Sequence, residues 1–210
     1  MEASRRILDM YINYEILVKE ISGPGIIHEG DGYKVRSLPL MHSKPCLGFA
    51  VEEEMRPGVF LPENALALGV PRGPLWSRLQ SGAEVVLETG AAVKPEQVMG
   101  PSPSGRKFSF VTDTSFVPEL AKFVKKANLL VCEGMFGEDL SENARDKQHL
   151  TAKQAAWIAR EGSVARLGLI HYSPRYTERE LRKLLHQARE IFPNTFLTRD
   201  LQTIDLPYEE

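Results

Sequence analysis

Histidine and aspartate recur in this sequence at the ends of short apolar runs, where a sheet presents side chains to a metal ion or a substrate. In Leu167-Gly-Leu-Ile-His171-Tyr-Ser-Pro-Arg-Tyr176 an apolar run ends on a lone imidazole, and a polar, aromatic, proline-broken turn follows. Such a segment reads as a buried strand whose C-terminal tip carries a ligand or a catalytic group. Ser37-Leu-Pro-Leu-Met-His42 ends an alternating run in histidine, and Phe108-Ser-Phe-Val-Thr-Asp113-Thr114 ends one in aspartate. Taken singly, His42 and His171 also read as hydrogen-bonded strand-end histidines, and Asp113 as the cap of a following helix. Together they are what a metal site on a sheet edge needs, with too few ligands to complete it.

The elements that must position these groups fall into three parts. The first, to about Val51, is strand-rich, with runs over Tyr14–Ile21, Tyr33–Leu40 and Leu47–Val51 and a hairpin signal at Asp31-Gly32. The second, roughly Glu52 to Met99, has short helical patterns at Pro62–Leu68 and Pro74–Gln80. A strand pair follows there, Glu84–Glu88 and Ala91–Val93, turning at Gly90. This stretch reads as a protruding arm, too short and turn-rich to hold a core of its own. The third part, from Phe108, alternates strands (Phe108–Val111, Leu129–Cys132, Arg166–Ile170, Thr195–Leu197) with helices (Pro118–Ala127, Ala152–Arg160, Glu178–Ile191). Interleaved strands and helices predict a layered α/β body. His149 lies just before the helix at Ala152, where Thr151 can serve as N-cap. His28, in a turn region, and His186, on a charged helix, are given no role.

Composition narrows the function classes. At 210 residues the chain is one domain or slightly more, and 42% hydrophobic with 26% charged residues is that of an ordinary globular protein. A net charge of −2 argues against a generally basic nucleic-acid binder, though a local basic patch escapes that sum. No apolar run approaches the ~20 residues that span a bilayer, so no membrane role is expected. The N-terminus lacks an apolar signal core, and Cys46 and Cys132 are far apart and form no CxxC pair. Both features suit a reducing cytoplasm, with the cysteines as small packing residues.

Several motifs follow one another in a telling order: Pro39-Leu-Met-His42, Asp113-Thr114, Cys132-Glu133-Gly-Met-Phe136 and His149-Leu-Thr-Ala-Lys-Gln-Ala-Ala156, then Ile170-His171-Tyr-Ser-Pro-Arg-Tyr176, Phe192-Pro-Asn-Thr195 and Asp200. Between them stand Pro57-Gly-Val-Phe60, Ala65-Leu-Ala-Leu-Gly-Val-Pro-Arg-Gly-Pro74 and Leu79-Gln-Ser-Gly82. This order resembles the later portion of ribonuclease Z, the metallo-β-lactamase-fold endonuclease family that trims the 3′ trailer from precursor tRNA. The resemblance implies an α/β body with an αββα sandwich plan, here incomplete, over residues 1–51 and 100–210. It implies a tRNA-binding arm over 52–99, in which Gly69, Pro71, Arg72, Gly73, Pro74 and Arg78 contact substrate.

By the same resemblance, two zinc ions activate a water and neutralise charge on the scissile phosphate. His42 binds one, His171 the other, and Asp113 bridges them. His149 protonates the leaving oxygen or stabilises phosphate charge, and Glu133 orients it. Gly134 and Met135 depart from the family pattern beside Glu133, which otherwise reads as a solvent-facing carboxylate after a strand. Arg175 either contacts phosphate or pairs with an acidic neighbour. The resemblance also implies a homodimer.

One signature is absent. The family's His-x-His-x-Asp-His box lies upstream of the matched region, and no His-x-His occurs in this sequence. His42, Asp113 and His171 alone cannot hold two ions in open catalytic geometry. An apolar sheet face should be left bare, and a homodimer of this chain cannot restore the missing ligands. A fragment of a full-length enzyme, and a split enzyme completed by a complementary chain, both account for this. A non-catalytic remnant that binds RNA or a partner does so too, as does another phosphodiesterase of the same fold.

Overall fold

The computed structural model describes residues 14, 15 and 17–208. Along the chain come β1 (Gly25–Gly30), β2 (Tyr33–Leu40) and β3 (Cys46–Glu53), then an insert. The insert holds α1 (Pro62–Ala67), α2 (Pro74–Gln80), β4 (Val85–Val86) and β5 (Ala92–Val93). The chain continues through β6 (Lys107–Val111), α3 (Leu120–Phe123), β7 (Leu129–Glu133), α4 (Ser141–Lys147), α5 (Ala152–Glu161), β8 (Leu167–Ile170), α6 (Glu178–Arg189) and β9 (Thr195–Leu197). Seven strands form one sheet in the order β1-β2-β3-β6-β7-β8-β9. It is antiparallel from β1 to β6 and parallel from β6 to β9.

Local sequence accounts for most of these elements. Gly30 pairs with Tyr33 across the turn at Asp31-Gly32, and Gly32 takes a φ of 75° that a side chain would resist. β7 is Leu-Leu-Val-Cys-Glu, buried at every position, as a parallel strand with neighbours on both edges must be. α5 begins with a capping box. Gln154 N–H donates to Thr151 Oγ1 at 3.2 Å, and Thr151 N–H donates to Gln154 Oε1 at 2.9 Å. Its buried face is mostly alanine (Ala152, Ala155, Ala156, Ala159), so its backbone can approach the sheet closely.

The helices lie on one side of the sheet. There Val111, Leu130, Cys132, Leu167 and Leu169 pack with Leu120, Ile158, Leu184 and Ala188. Strand register gathers a second apolar set on the other side, with Val35, Val51, Phe108 and Leu129 in one row and Phe49, Phe110 and Val131 in the next. A cleft of about 570 Å³ opens over Phe108, Phe110, Leu129, Val131 and Ile170. The C-terminal tail runs along this cleft from Thr198 to Leu206, and His171 and Tyr172 line its other end. The face expected to lie bare is thus covered in part, with Leu129 and Val131 buried on it.

Four expectations need correction. The described residues of Tyr14–Ile21 form no strand, and residue 16 lies outside the description. The hairpin instead recruits Gly25–Gly30 as the edge, which places His28 in a strand rather than a turn. The helix expected over Pro118–Ala127 is α-helical only at Leu120–Phe123, because Lys126 takes φ 56° and donates its N–H to Gly162 O at 2.8 Å. The helix Ser141–Lys147 was not foreseen. Finally, the insert does have its own core. Ala65, Val70, Leu79, Val85, Val93 and Val98 are buried together, with Phe60, Leu75, Trp76, Leu87 and Met99 packed around them.

Two chains form the stem that joins the insert to the sheet. Glu53 N–H donates to Arg106 O at 2.9 Å, Arg56 N–H to Pro103 O at 3.3 Å and Gly100 N–H to Val59 O at 2.7 Å. The chains run so close that a Cβ at Gly58 would sit 1.9 Å from Gly100 O, and one at Gly105 2.2 Å from Glu53 O. Glycine is needed there for space. No described helix is long and apolar enough to cross a membrane.

Candidate metal centre

β6, β7 and β8 are parallel neighbours, so their C-terminal tips open on one space. Asp113 follows β6, Glu133 is the last residue of β7, and His171 comes directly after β8. His149 reaches the same place from the turn between α4 and α5. Gln148 there is left-handed at φ 58°, and a bridge between Phe136 and Thr151 ties this turn to the extension of β7. One donor atom from each of Asp113, Glu133, His149 and His171 lies within 4.8 Å of the others. His42, beyond the end of β2, lies outside that group of four but against it. Its ring centroid is 4.9 Å from that of His149, which in turn is 5.2 Å from that of His171.

Hydrogen bonds orient the three imidazoles. His42 Nδ1 lies 3.0 Å from Gln148 O. A carbonyl only accepts, so Nδ1 carries the proton and the Nε2 lone pair is free. His149 Nδ1 lies 3.2 and 3.1 Å from the two Glu133 carboxylate oxygens, and His171 Nδ1 lies 2.9 Å from Asp113 Oδ1. With those carboxylates ionised, each Nδ1–H donates and leaves Nε2 as the donor toward a metal.

The backbone at His171 is held in an unfavourable conformation. Its φ is 59°, which costs a non-glycine residue about 1–2 kcal/mol. Neighbouring bonds over-determine it. Gly134 N–H donates to Ile170 O at 3.0 Å and Ser173 N–H to Met135 O at 3.2 Å. Tyr172 hydroxyl donates to Leu169 O and accepts from Thr198 N–H at 3.0 Å. Thr198 Oγ1 also donates to Leu169 O at 2.6 Å.

Burial divides the acids. Glu133 is fully buried, not the solvent-facing group it also resembled, and burial pushes its carboxyl up to about 7 against the bond from Thr114 N–H at 2.7 Å. Burial also raises Asp113, but the Thr112 hydroxyl bond and the His171 charge outweigh it and leave Asp113 below its ordinary value. Burial, followed by the neighbouring His42, holds His149 below the usual histidine value. Metal takes an ionised carboxylate and a neutral imidazole, the forms toward which Asp113 and His149 are shifted, so the donor chemistry fits a divalent ion.

The other sequence-derived residues lie elsewhere. The insert leaves the sheet between the end of β3 and the start of β6, the end opposite Asp113. It carries Gly69 (φ 79°), Pro71, Arg72, Gly73 (φ 145°), Pro74 at the first turn of α2 and Arg78 in its last turn. The Arg72 guanidinium lies 5.8 Å from the Trp76 ring centroid. Arg175 places its guanidinium 5.5 Å from the Phe136 ring centroid, on a strand-end aromatic beside His149. Asp113 caps no helix; it takes the Thr112 hydroxyl and the His171 ring. The groups not read from sequence are the supports Thr112, Tyr172, Thr198 and the Gln148 carbonyl. Thr112, Thr114 and Tyr172 stood inside quoted motifs without a role, whereas Thr198 and Gln148 stood outside them.

No family model matches the chain. In sequence it is 53% identical over 210 residues to ribonuclease Z of Treponema denticola, covering all of this chain and 68% of that protein. It is 50% identical over 210 residues to ribonuclease Z of Treponema pallidum (strain Nichols), with the same coverage. Against ribonuclease Z of Borrelia hermsii it is 38% identical over 206 residues, covering 95% of this chain and 64% of that one. Among solved structures it resembles the short form of human tRNase Z (TM-score 0.52, 19% identity, 88% of this chain and 48% of that one). It also resembles the metallo-β-lactamase fold protein YhfI of Bacillus subtilis (TM-score 0.50, 15% identity, 82% and 48%).

A mixed sheet with one helical layer and a histidine–carboxylate cluster at the strand tips is thus part of a metallo-β-lactamase fold. At 53% identity over its whole length, the chain belongs to the ribonuclease Z family. It spans about two thirds of the length of the relatives it matches.

Proposed function

We propose that this chain supplies the substrate-gripping insert and part of the metal centre of an endonuclease that removes the 3′ trailer of precursor tRNA. The observation that carries the reading is the convergence of Asp113, Glu133, His149 and His171 within 4.8 Å, in a chain 53% identical to a ribonuclease Z. His42, Asp113 and His171 are the residues that would hold zinc, since imidazole and carboxylate suit that ion. When bound, the metal polarises a phosphate oxygen and generates a nucleophile from water. His149, aimed by Glu133, stabilises charge on the phosphate or, once protonated at Nε2, gives that proton to the leaving oxygen. Arg175, on the same side through Phe136, neutralises phosphate charge.

Three donors serve one open metal site and fall short of two. The active enzyme therefore needs further ligands from a polypeptide portion that also covers Phe49, Phe108 and Phe110, supplied by a longer chain or a complementary one. Gly69, Pro71, Arg72, Gly73, Pro74 and Arg78 grip the body of the tRNA away from the cut, through exposed N–H groups and guanidinium charge. Because the insert leaves the sheet opposite the site, a homodimer lets the insert of one copy serve the site of the other. The free Cys46 and Cys132 suit the reducing cytoplasm.

Mixing this chain with a polypeptide carrying the His-x-His-x-Asp-His box and zinc tests the reading. Precursor tRNA should be cut by the mixture and not by either part. A well-folded, metal-loaded complex that binds the tRNA and leaves it intact overturns the catalytic reading in favour of a binding-only role.

A further inference from the structure

The last described residues cross most of the molecule without forming a helix or strand. They start beside the metal centre, where Thr198, Arg199 and Asp200 line the same cleft as His171 and Tyr172. Ile204 and Leu206 then lie over the apolar sheet face. Backbone carbonyls along the way are held by arginines: Arg166 Nη1 donates to Asp205 O at 3.3 Å, and Arg106 Nη1 to Leu206 O at 3.0 Å. The path ends with the Tyr208 ring at the stem of the insert. The Arg56 guanidinium lies 3.4 Å from that ring's centroid, and the Arg106 guanidinium lies 3.9 Å from it.

The identity of these two arginines matters. Arg56 stands on the outgoing chain of the stem and Arg106 on the returning chain, so one aromatic ring engages both. Arg106 is itself anchored to the sheet, because its Nε donates to Glu53 Oε2 at 2.8 Å and its Nη2 pairs with the other Glu53 oxygen. Between those points the stem is narrow and rich in proline and serine (Pro101-Ser-Pro-Ser104), its two strands joined by backbone hydrogen bonds. A planar ring against two guanidinium groups adds a hold by cation–π attraction and stacking.

We propose that the C-terminal tail is a strap that fixes the insert at its base, with Tyr208 as a positioning residue for substrate binding by the insert. Tyr208 touches no reacting group. It acts by restricting how the stem moves relative to the sheet, which lowers the entropy lost when the insert closes on an RNA. The part of the inference that concerns RNA rests on the reading of the insert as the substrate grip; the strap itself does not.

Native-state hydrogen exchange and precursor-tRNA binding, measured on this chain and on Tyr208→Ala, Tyr208→Phe and Arg56→Gln, separate the two parts. Exchange at the Arg56, Gly100 and Glu53 amides should quicken about threefold to tenfold in Tyr208→Ala and Arg56→Gln, while amides of Leu130 and Val131 are unchanged. Tyr208→Phe, which keeps the ring, should behave as the parent chain. RNA affinity should fall about threefold with the loss of the ring and recover with phenylalanine. Unchanged stem exchange in Tyr208→Ala, or a Tyr208→Phe that matches Tyr208→Ala, overturns the strap. Loosened stem amides with unaltered RNA affinity keep the strap and reject the insert as the RNA grip.

Discussion

At the tips of the parallel strands, polar side chains depend on one another around a buried Glu133 and a strained His171; at the other end of the sheet, an apolar insert packs around a centre of its own. Glu133 is fully buried, His171 is left-handed, and each imidazole is aimed by a group from a different element. The insert has Val70, Leu79, Val85 and Val98 completely buried, and its sheet attachment is a narrow stem. The first region gives up local stability for a donor arrangement and is still short of ligands. The second spends little on special conformations beyond its glycine turns and is complete. The insert proposed as the substrate grip has its core within this chain, whereas the strand-tip donors proposed as the metal centre are too few for two ions.

The comparison breaks most visibly at the metal ligands. In an enzyme completed with the missing portion, Asp113→Ala or His171→Ala should lower kcat on precursor tRNA by ~10³-fold or more, since a lost metal removes several kcal/mol of transition-state stabilisation. Steady-state cleavage assays read this, and a loss under tenfold would place the ligands elsewhere. In the insert, Leu79→Ala should cost about 2–4 kcal/mol. Hydrogen exchange should show that loss at the insert amides alone. Equal loosening of β7 would show that the two regions fold as one unit.

Smaller effects sharpen the contrast. Glu133→Gln removes the carboxylate that aims His149 and should slow cleavage about 10–100-fold, with tRNA affinity unchanged. Arg72→Ala with Arg78→Ala should do the reverse, weakening tRNA binding and reducing the slope of log affinity against log salt by roughly 2. Hydrolysis of a small phosphodiester by the completed enzyme should survive that pair.

The smallest effect lies in the antiparallel half of the sheet. Burial raises the Glu52 carboxyl, but Lys107 at 3.1 Å and Arg36 at 3.0 Å outweigh it, so the folded value lies below the ordinary 4.5. Its contribution is present above that ordinary value and lost as pH falls through the lowered one. Glu52→Gln should therefore cost about 1 kcal/mol at pH 7 by urea unfolding, and the gap should close toward pH 3.

The sequence made the strand tips legible because an apolar run ending in His or Asp carries a two-part signal, period and terminus, that survives without any contact information. The α/β alternation was legible for the same reason, and Thr151 emerged as a cap from its place before an alanine-rich helix. What stayed hidden depends on pairing. Tyr14–Ile21 alternates as well as a strand does, but the edge of the sheet goes to Gly25–Gly30, which the hairpin delivers in register. The core of the insert was missed because its members are scattered between Ala65 and Val98 with no single period. The Gln148 carbonyl that sets the His42 tautomer is a backbone group, invisible in side-chain patterns.

Zinc binding by this chain, measured by isothermal titration at neutral pH, tests the central claim most directly. The account expects weak binding of a single ion that disappears in Asp113→Ala and in His171→Ala while thermal unfolding of the metal-free proteins stays cooperative. Undiminished zinc binding in those two variants would show that the strand tips are not a metal centre, and the account would fall with them.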